Sequence, residues 1–429
     1  MVNSTLNSHH SSCLNPQVFV KQLQALTRSK KILIAYSGGL DSHVLLHLAS
    51  QISQTNNYQI RAMHIHHGLQ KVANDWVPHC QNVCDTLNIS IEIQYLNLTI
   101  EKSKSLEDVA RKARYAAFSE SLQENEVLLT AHHQNDQAET LLLQLFRGAG
   151  VQGLAAMSRI TVFGLGKHAR PLLNYSRQSL VAYAKENKLD FIEDPSNKDS
   201  AFDRNFLRNK IMPELRERWP SIDKTISRSA SIQAETKQLL DEYAEQDLLS
   251  IQSSPADSDK LTLSKFQNFS SAKQKLLIRY WITVNGFNPP SEKKLKHIFS
   301  DVVNAGEDSQ PLVEWEGVEI RRYQDKLYIM KPLQDHNIKQ VIEWENPQAI
   351  LNIASLDYSL TALSVFQYDE NSPITVRFRQ GGEKLYHHKR GVNISLKNFL
   401  QESDVPPWLR SRIPLIYSGE TLIKVAGLE

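Results

Sequence analysis

The chain has 429 residues, 41% hydrophobic and 22% charged, with a formal net charge of +2. Its length exceeds one ordinary domain and predicts two or three. The composition excludes a disordered or fibrous chain, and the near-neutral balance confines any nucleic-acid surface to a local basic patch.

Three cysteines, Cys13, Cys80 and Cys84, are too few and too odd in number for a disulfide framework and point to a reducing compartment. The opening MVNSTLNSHHSSC lacks the apolar core of a secretory signal. No apolar run approaches membrane-spanning length, so a cytoplasmic protein is expected.

Over the first 200 residues, short apolar runs alternate with helical patterns. KILIAY (31–36) precedes a helix from Ser42, and QIRAMHI (59–65) precedes one near 72–87. SIEIQYL (90–96) precedes a helix over 105–122 that opens with Ser105 and Asp108 at capping-box spacing. EVLLTA (126–131) leads into NDQAETLLLQLF (135–146). Strands alternating with helices predict an α/β fold with a doubly wound parallel sheet. From Ser176 to about Leu249 the pattern is helical, with a break at Trp219-Pro220. SIQSSPADSD (250–259) reads as a loop, helices follow near 270–284 and 291–304, and residues 312–330 are β-rich. Residues 332–372 read as a connection with some strand. Beyond Pro373 come turns, one helical run (395–402) and a strand-like end. The expected division is 1–218, a mainly helical middle domain over 219–372, and a small α+β domain over 373–429.

The strongest local signal is Ser37-Gly38-Gly39-Leu40-Asp41-Ser42, set between a buried strand and a helix. Glycines let the backbone approach an anion, and the helix N-terminus offers free N–H groups and a positive dipole end. Ser37 and Ser42 add hydroxyls. Asp41 is out of place beside phosphate unless Mg²⁺ lies between them. The loop has neither the Walker A nor the dinucleotide glycine pattern. His64-Ile65-His66-His67-Gly68-Leu69 ends the second strand, where ligands bind in open α/β sheets; the same histidines would also serve as a strand cap. Arg111 and Arg114 share a helix face, suiting either a phosphate or solvent. Asp136 and Glu139 share the start of another helix and favour a cation, Mg²⁺ or an ammonium, unless they only complement the helix dipole. His132 and His133 are adjacent and make a poor zinc pair.

Residues 204–228 carry seven Lys/Arg against three Asp/Glu, and Pro373–Arg412 carries eight against three. Phe378, Tyr386 and Trp408 lie among the basic residues of the second segment, a mixture that suits RNA backbone contact and base stacking.

The loop SGGLDS resembles the PP-loop of the ATP pyrophosphatase family, with its adenine nucleotide alpha hydrolase-like fold. Further segments resemble the lysidine synthetases within that family: HIHHGL, LEDVARKARY, LTAHHQNDQAET continuing to Arg147-Gly148-Ala149-Gly150, RPLL at 170–173, EDPSN at 193–197 and DRNFLR at 203–208. The tail adds RFRQGG, SLKNFLQE and VPPWLR. The resemblance spans nearly the whole chain and is weakest over about 220–370.

That resemblance implies a ligase that consumes ATP and Mg²⁺ and joins free L-lysine to C2 of the wobble cytidine in the CAU anticodon of isoleucine tRNA. An adenylated cytidine is the intermediate, and AMP and pyrophosphate are released. Ser37 to Ser42 would bind ATP, with His64 and His67 as lesser contributors and Asp41 as the Mg²⁺ ligand. Asp41, Arg114, His133, Asp136 and Glu139 are the candidate catalytic residues. His132 joins His133, Asp136 and Glu139 as a candidate base for the lysine amine, whose pKa near 10.4 makes neutralisation at pH 7 cost roughly 4–5 kcal/mol. Arg111, Arg204, Arg208, Arg377, Arg379 and Lys397 are candidates for phosphate or RNA contact. A homodimer is a further expectation.

Two rivals remain. A PP-loop tRNA thiolase would need reactive cysteines, often as C-x-x-C, whereas Cys80 and Cys84 are four apart. A non-catalytic tRNA-binding protein would have little use for Asp41, Ser42, Asp136 and Glu139.

Overall fold

The computed structural model describes residues 14–66, 68, 73–96, 106–252, 254, 257–306, 309–356, 358–363, 372–387 and 391–428. His67 and the expected cap at Ser105 and Asp108 lie outside the described residues or their described side chains. The chain divides into two compact units, Met1–Glu242 and Tyr243–Glu429.

The first unit runs α1 (Pro16–Leu26), β1 (Lys31–Ala35), α2 (Leu40–Asn56), β2 (Gln59–His66), α3 (Ala73–Thr86), β3 (Ser90–Tyr95), α4 (Leu106–Ser121), β4 (Glu126–Leu129) and α5 (Gln134–Phe146). A short α6 (Val151–Leu154) leads to β5 (Ile160–Phe163), β6 (Gly166–Ala169) and α7 (Arg177–Glu186). Its six strands lie in the order β3-β2-β1-β4-β6-β5. All neighbours are parallel except β5, which pairs antiparallel with β6.

Period-2 alternation along β1 gives each face its own core. Ile32 and Ile34 pack with Leu45 and Leu48 of α2, Cys80 and Cys84 of α3 and Leu180 of α7. Leu33 lies on the other face with Met63, Leu128 and Ala117 and Phe118 of α4. Helices therefore cover both faces, the doubly wound arrangement that buries a parallel sheet. The β5–β6 hairpin was not foreseen. Its strands are only four residues each, and exposed Val162 and Leu165 at its tip give no core-facing alternation to read.

The helical stretch that follows comprises α8 (Asp203–Phe206), a widened π turn over Leu207–Ile211, α9 (Met212–Arg218) and α10 (Ile222–Ile251). The break at Trp219-Pro220 separates α9 from α10 and is clamped by the Arg216 guanidinium, which donates to Asp223 at 2.7 and 2.9 Å.

The second unit holds a four-stranded antiparallel sheet of β7 (Lys260–Thr262), β8 (Leu312–Trp315), β9 (Val318–Tyr323) and β10 (Lys326–Met330), in the order β7-β10-β9-β8. It packs with the helices Leu263–Gln267, Ser271–Val284 and Glu292–His297 around Phe266 and Trp281. A second four-stranded antiparallel sheet is built from Ile342–Glu343, Ile374–Arg377, Leu415–Ser418 and Thr421–Val425. The predicted helix near 395–402 is Leu396–Glu402. The middle region is thus helical with a β-meander, and the last part is dominated by antiparallel strands.

Phe378 and Trp408 are not exposed stacking platforms. Phe378 is 2% exposed, in the core with Val376 and Ile416. Trp408 packs edge-on to Tyr328 and carries Arg321 over its ring, 5.3 Å from the centroid. Of the three aromatics only Tyr386 is exposed.

Candidate active site

The loop 37–42 turns sharply between β1 and α2. Gly38 has φ +84°, and a Cβ there would lie 2.8 Å from Ile192 Cδ1 and 3.0 Å from Cys80 Sγ. Only glycine tolerates both the left-handed backbone and that contact. The Ile192 N–H donates to the Gly38 carbonyl at 3.0 Å, so the loop is stapled to a segment far along the chain. Ser42 Oγ donates to the Gly39 carbonyl (3.0 Å) and lies 3.0 Å from Ser37 Oγ. These hydroxyls shape the loop, and the first N–H groups of α2 remain at its mouth.

Parallel pairing of β1 with β4 sets the start of α5 beside the start of α2. His133 precedes α5, and its backbone N–H donates to Asp136 Oδ2 at 3.0 Å. The His133 ring Nε2 lies 3.6 Å from Asp41 Oδ2 and 3.5 Å from Asp136 Oδ2. Burial alone would lower the His133 pKa, but the Asp136 charge and the hydrogen bond and charge of Asp41 outweigh it, so the pKa is raised. Among the described residues, Asp41 Oδ1 is buried with no hydrogen-bond partner.

Glu139 is one turn further on, fully buried. The Arg208 guanidinium meets it as a planar fork, Nε to Oε1 and Nη2 to Oε2 at 2.7 Å each, and Nη2 also donates to Asp136 Oδ1 at 2.8 Å. Arg204 donates to Thr140 Oγ1 at 2.7 Å and lies 3.9 Å from Glu139. The structure therefore places Arg204 and Arg208 in the carboxylate cluster, where their charge lets two carboxylates stay buried.

A cavity of about 210 Å³ is lined jointly by Ser37, Asp41 and Ser42 of the loop, Arg114 and Tyr115 of α4, and Thr130, His132 and Asp136. Arg111 and Arg114 both lie against the Tyr115 ring, 5.1 and 5.7 Å from its centroid. His64 is not brought to this cavity. Alternation along β2 turns Ile65 towards it, while His64 is buried with Nδ1 donating to the Tyr36 carbonyl at 3.0 Å. On the other side of the first turn of α5, a larger cavity of about 720 Å³ is lined by His133, Glu139, Arg177, Arg208 and Asp223 among others. Cys80 and Cys84 are buried thiols pushed up to about 12 by desolvation, so neither is a thiolate at neutral pH.

In the second unit Arg377 is paired with Glu420 at 3.0 Å and lies over the Tyr417 ring. Arg379 is half-buried and Lys397 is exposed.

Residues 14–215 match the PP-loop domain family. Residues 261–328 match the TilS substrate binding domain, and residues 374–429 the TilS substrate C-terminal domain. A tRNA(Ile)-lysidine synthase of Coxiella burnetii is 43% identical, covering 96% of this chain and 92% of its own length. The chain belongs to the tRNA(Ile)-lysidine synthase family. One of Haemophilus influenzae, strain PittGG, is 41% identical over 95% of this chain and 96% of its own. Among solved structures, the U34-tRNA thiolase NcsA of Methanococcus maripaludis shares 17% identity at a TM-score of 0.43, covering 51% of this chain and 78% of its own. Membership of the lysidine synthase family carries the PP-loop with it, and hence use of ATP.

Tyr115, Thr130, His168, Arg170 and Ile192 shape this site and carried no assigned role in the sequence. Arg170 stood in a recognised segment, and Tyr115 followed the arginine pair. His168 and Ile192 gave no local signal.

Proposed function

We propose that this chain is the ligase that converts the wobble cytidine of a CAU-anticodon isoleucine tRNA to lysidine, using free lysine and ATP. One observation supports this most directly: a single cavity is lined both by a phosphate-binding loop and by the acidic start of α5. ATP and an amine nucleophile can therefore reach one pyrimidine.

In this reading the triphosphate lies against the loop N–H groups and the N-terminus of α2, with Arg114 beside it. Cytosine O2 attacks the α-phosphorus, the bond to the β-phosphate oxygen breaks, and pyrophosphate leaves. The lysine ε-amine then attacks C2, the C2–O bond breaks, and AMP departs with the oxygen. The poor leaving group of the free base has become a good one. The amine must shed a proton before attack. Asp136 and His133 are the groups placed to hold the ammonium and take that proton. Glu139, with both oxygens held by Arg208, keeps the arginine and Asp136 in register. The larger cavity beyond α5, with Arg177, Arg208 and Arg216 on its wall, suits the carboxylate end of the amino acid.

The unpartnered Asp41 Oδ1 fits a cation, and Asp41 is the residue that would hold Mg²⁺. The ion would supply neutralisation of phosphate charge. Exposed Tyr386 and Lys397 offer stacking and charge to tRNA. A homodimer is compatible with this reading.

The test is incorporation of labelled lysine into an isoleucine tRNA transcript bearing CAU, against a methionine tRNA with the same anticodon. Stable label on the isoleucine transcript alone, with one AMP per lysine, is expected. AMP release without label would move the nucleophile from lysine to another group and end this reading.

A further inference from the structure

Parallel pairing of β4 with β6 sets Thr130, just past β4, beside His168 and Arg170. Four side chains then form a line. The Arg170 Nη2 lies 3.2 Å from His168 Nδ1, His168 Nε2 lies 2.8 Å from Thr130 Oγ1, and Thr130 Oγ1 lies 2.8 Å from His132 Nδ1. Thr130, His168 and Arg170 are all buried, and the Arg170 Nη1 is fixed from outside the line by donating to the Ser158 carbonyl at 2.6 Å, so the ring and hydroxyl atoms between Arg170 and His132 satisfy one another.

The direction of the line follows from donor chemistry. A guanidinium only donates, so His168 Nδ1 is a bare acceptor and its proton sits on Nε2. That N–H donates to Thr130 Oγ1. The hydroxyl has one proton to give, and among the described residues its remaining side-chain neighbour is His132 Nδ1. His132 Nδ1 is thereby an acceptor, and the ring proton is on Nε2. We propose that Arg170, His168 and Thr130 act as positioning residues that lock His132 as a neutral Nε2–H donor on the cavity wall. His132 therefore offers a hydrogen bond to an acceptor oxygen of the substrates, cytosine O2 or an ATP phosphate oxygen, and does not serve as the base for the amine.

The electrostatics agree. His132 is held well below its ordinary pKa by burial and by Arg170, His168, Arg111 and Arg204. His168 is lowered to about 3 by burial, Arg170 and Arg111. Tyr115 and Phe163 wall the His168 ring at 5.6 and 5.8 Å, which fixes its plane. A neutral donor adds attraction to developing negative charge without attracting counter-anions in the free enzyme. The two adjacent rings differ in what they meet: His132 faces the Thr130 hydroxyl, and His133 faces Asp41 and Asp136.

The relay rests on the lysidine reading only for what the donor meets. Two measurements on the full chain separate the parts. First, nitrogen-15 imidazole spectra of the ligand-free protein, with the His132 signal identified by its loss in His132→Gln, read the tautomer directly. A neutral Nε2–H ring that does not titrate between pH 6 and 8 is expected. His168→Phe, which keeps the aromatic packing but breaks the line, should move His132 towards Nδ1–H. His168→Gln, whose amide accepts from Arg170 and donates to Thr130, should leave it as in wild type. An Nδ1–H ring or an imidazolium in the wild type overturns the relay, whether or not the protein makes lysidine. Second, tRNA-dependent AMP formation should fall about five- to tenfold in His168→Phe, the scale of one hydrogen bond, and recover in His168→Gln. A drop in kcat with KM for ATP unchanged assigns the acceptor to cytosine O2, and a rise in KM for ATP assigns it to the phosphates. Unchanged kinetics in both His168→Phe and His132→Phe would overturn the donor role.

Discussion

Replacing Arg208 by methionine strips Glu139 of its forked partner and leaves only Arg204, 3.9 Å away, as a nearby cation. Its side chain is 1% exposed and both oxygens are bonded to the Arg208 fork. The stranded carboxylate must either stay charged in a dry site or take up a proton. Protonation sets the upper limit. From an ordinary pKa of about 4.3, neutralisation at pH 7 costs about 4 kcal/mol, within the range for breaking buried ion pairs. In a unit of this size each kcal/mol is worth about 2–4 °C, so Tm should fall by roughly 10 °C at pH 7. A carboxyl that must take up a proton to stay buried costs least at low pH, where the unfolded chain is protonated too, and more as pH rises. At pH 5 the protonation cost is only about 1 kcal/mol, so the Tm deficit relative to wild type should shrink to about a quarter. Calorimetry at pH 5 and 7 measures it, and R208M with E139Q should recover most of the loss. A deficit equal at both pH values, or one below about 2 °C at pH 7, would refute the idea that Arg208 compensates a buried carboxylate.

Gly38→Ala should abolish AMP formation, because a Cβ meets Ile192 at 2.8 Å on a φ of +84°; retained turnover would show that the loop shifts freely. Asp41→Asn should lower the His133 pKa, since Asp41 helps raise it, and NMR titration reads the change. With His133 raised in the fold, its ion-pair contribution is full below about pH 6.5 and lost as pH rises through the folded pKa. The Asp41→Asn stability deficit should therefore be larger at pH 6 than at pH 9. Phe378→Ala should cost about 3–5 kcal/mol by urea unfolding, whereas Tyr386→Ala should leave stability within about 0.5 kcal/mol and weaken tRNA binding in a filter assay. The reverse pattern would mean that Phe378 is the RNA contact.

The phosphate loop, its flanking strand and helix, and the paired acids at the start of α5 were legible in the sequence because each is local. A glycine pair after an apolar run and two carboxylates three apart on a helix announce geometry that a few residues impose on themselves. The burial of Phe378 was legible too, though missed: it alternates with Arg377 and Arg379, and strand alternation sends it to the opposite face. What Arg208 does could not be read. A guanidinium in a basic run looks the same whether it meets solvent, phosphate or a carboxylate, and the choice falls to Glu139, 69 residues away. The same holds for the Ile192 staple on Gly38 and for the line from Arg170 to His132, which exists because β6 lies beside β4. Sequence by itself determined which groups of this protein are chemically able to act. Tertiary structure decided which are paired, protonated or aimed, because those properties depend on burial and on partners that only folding brings within 3 Å.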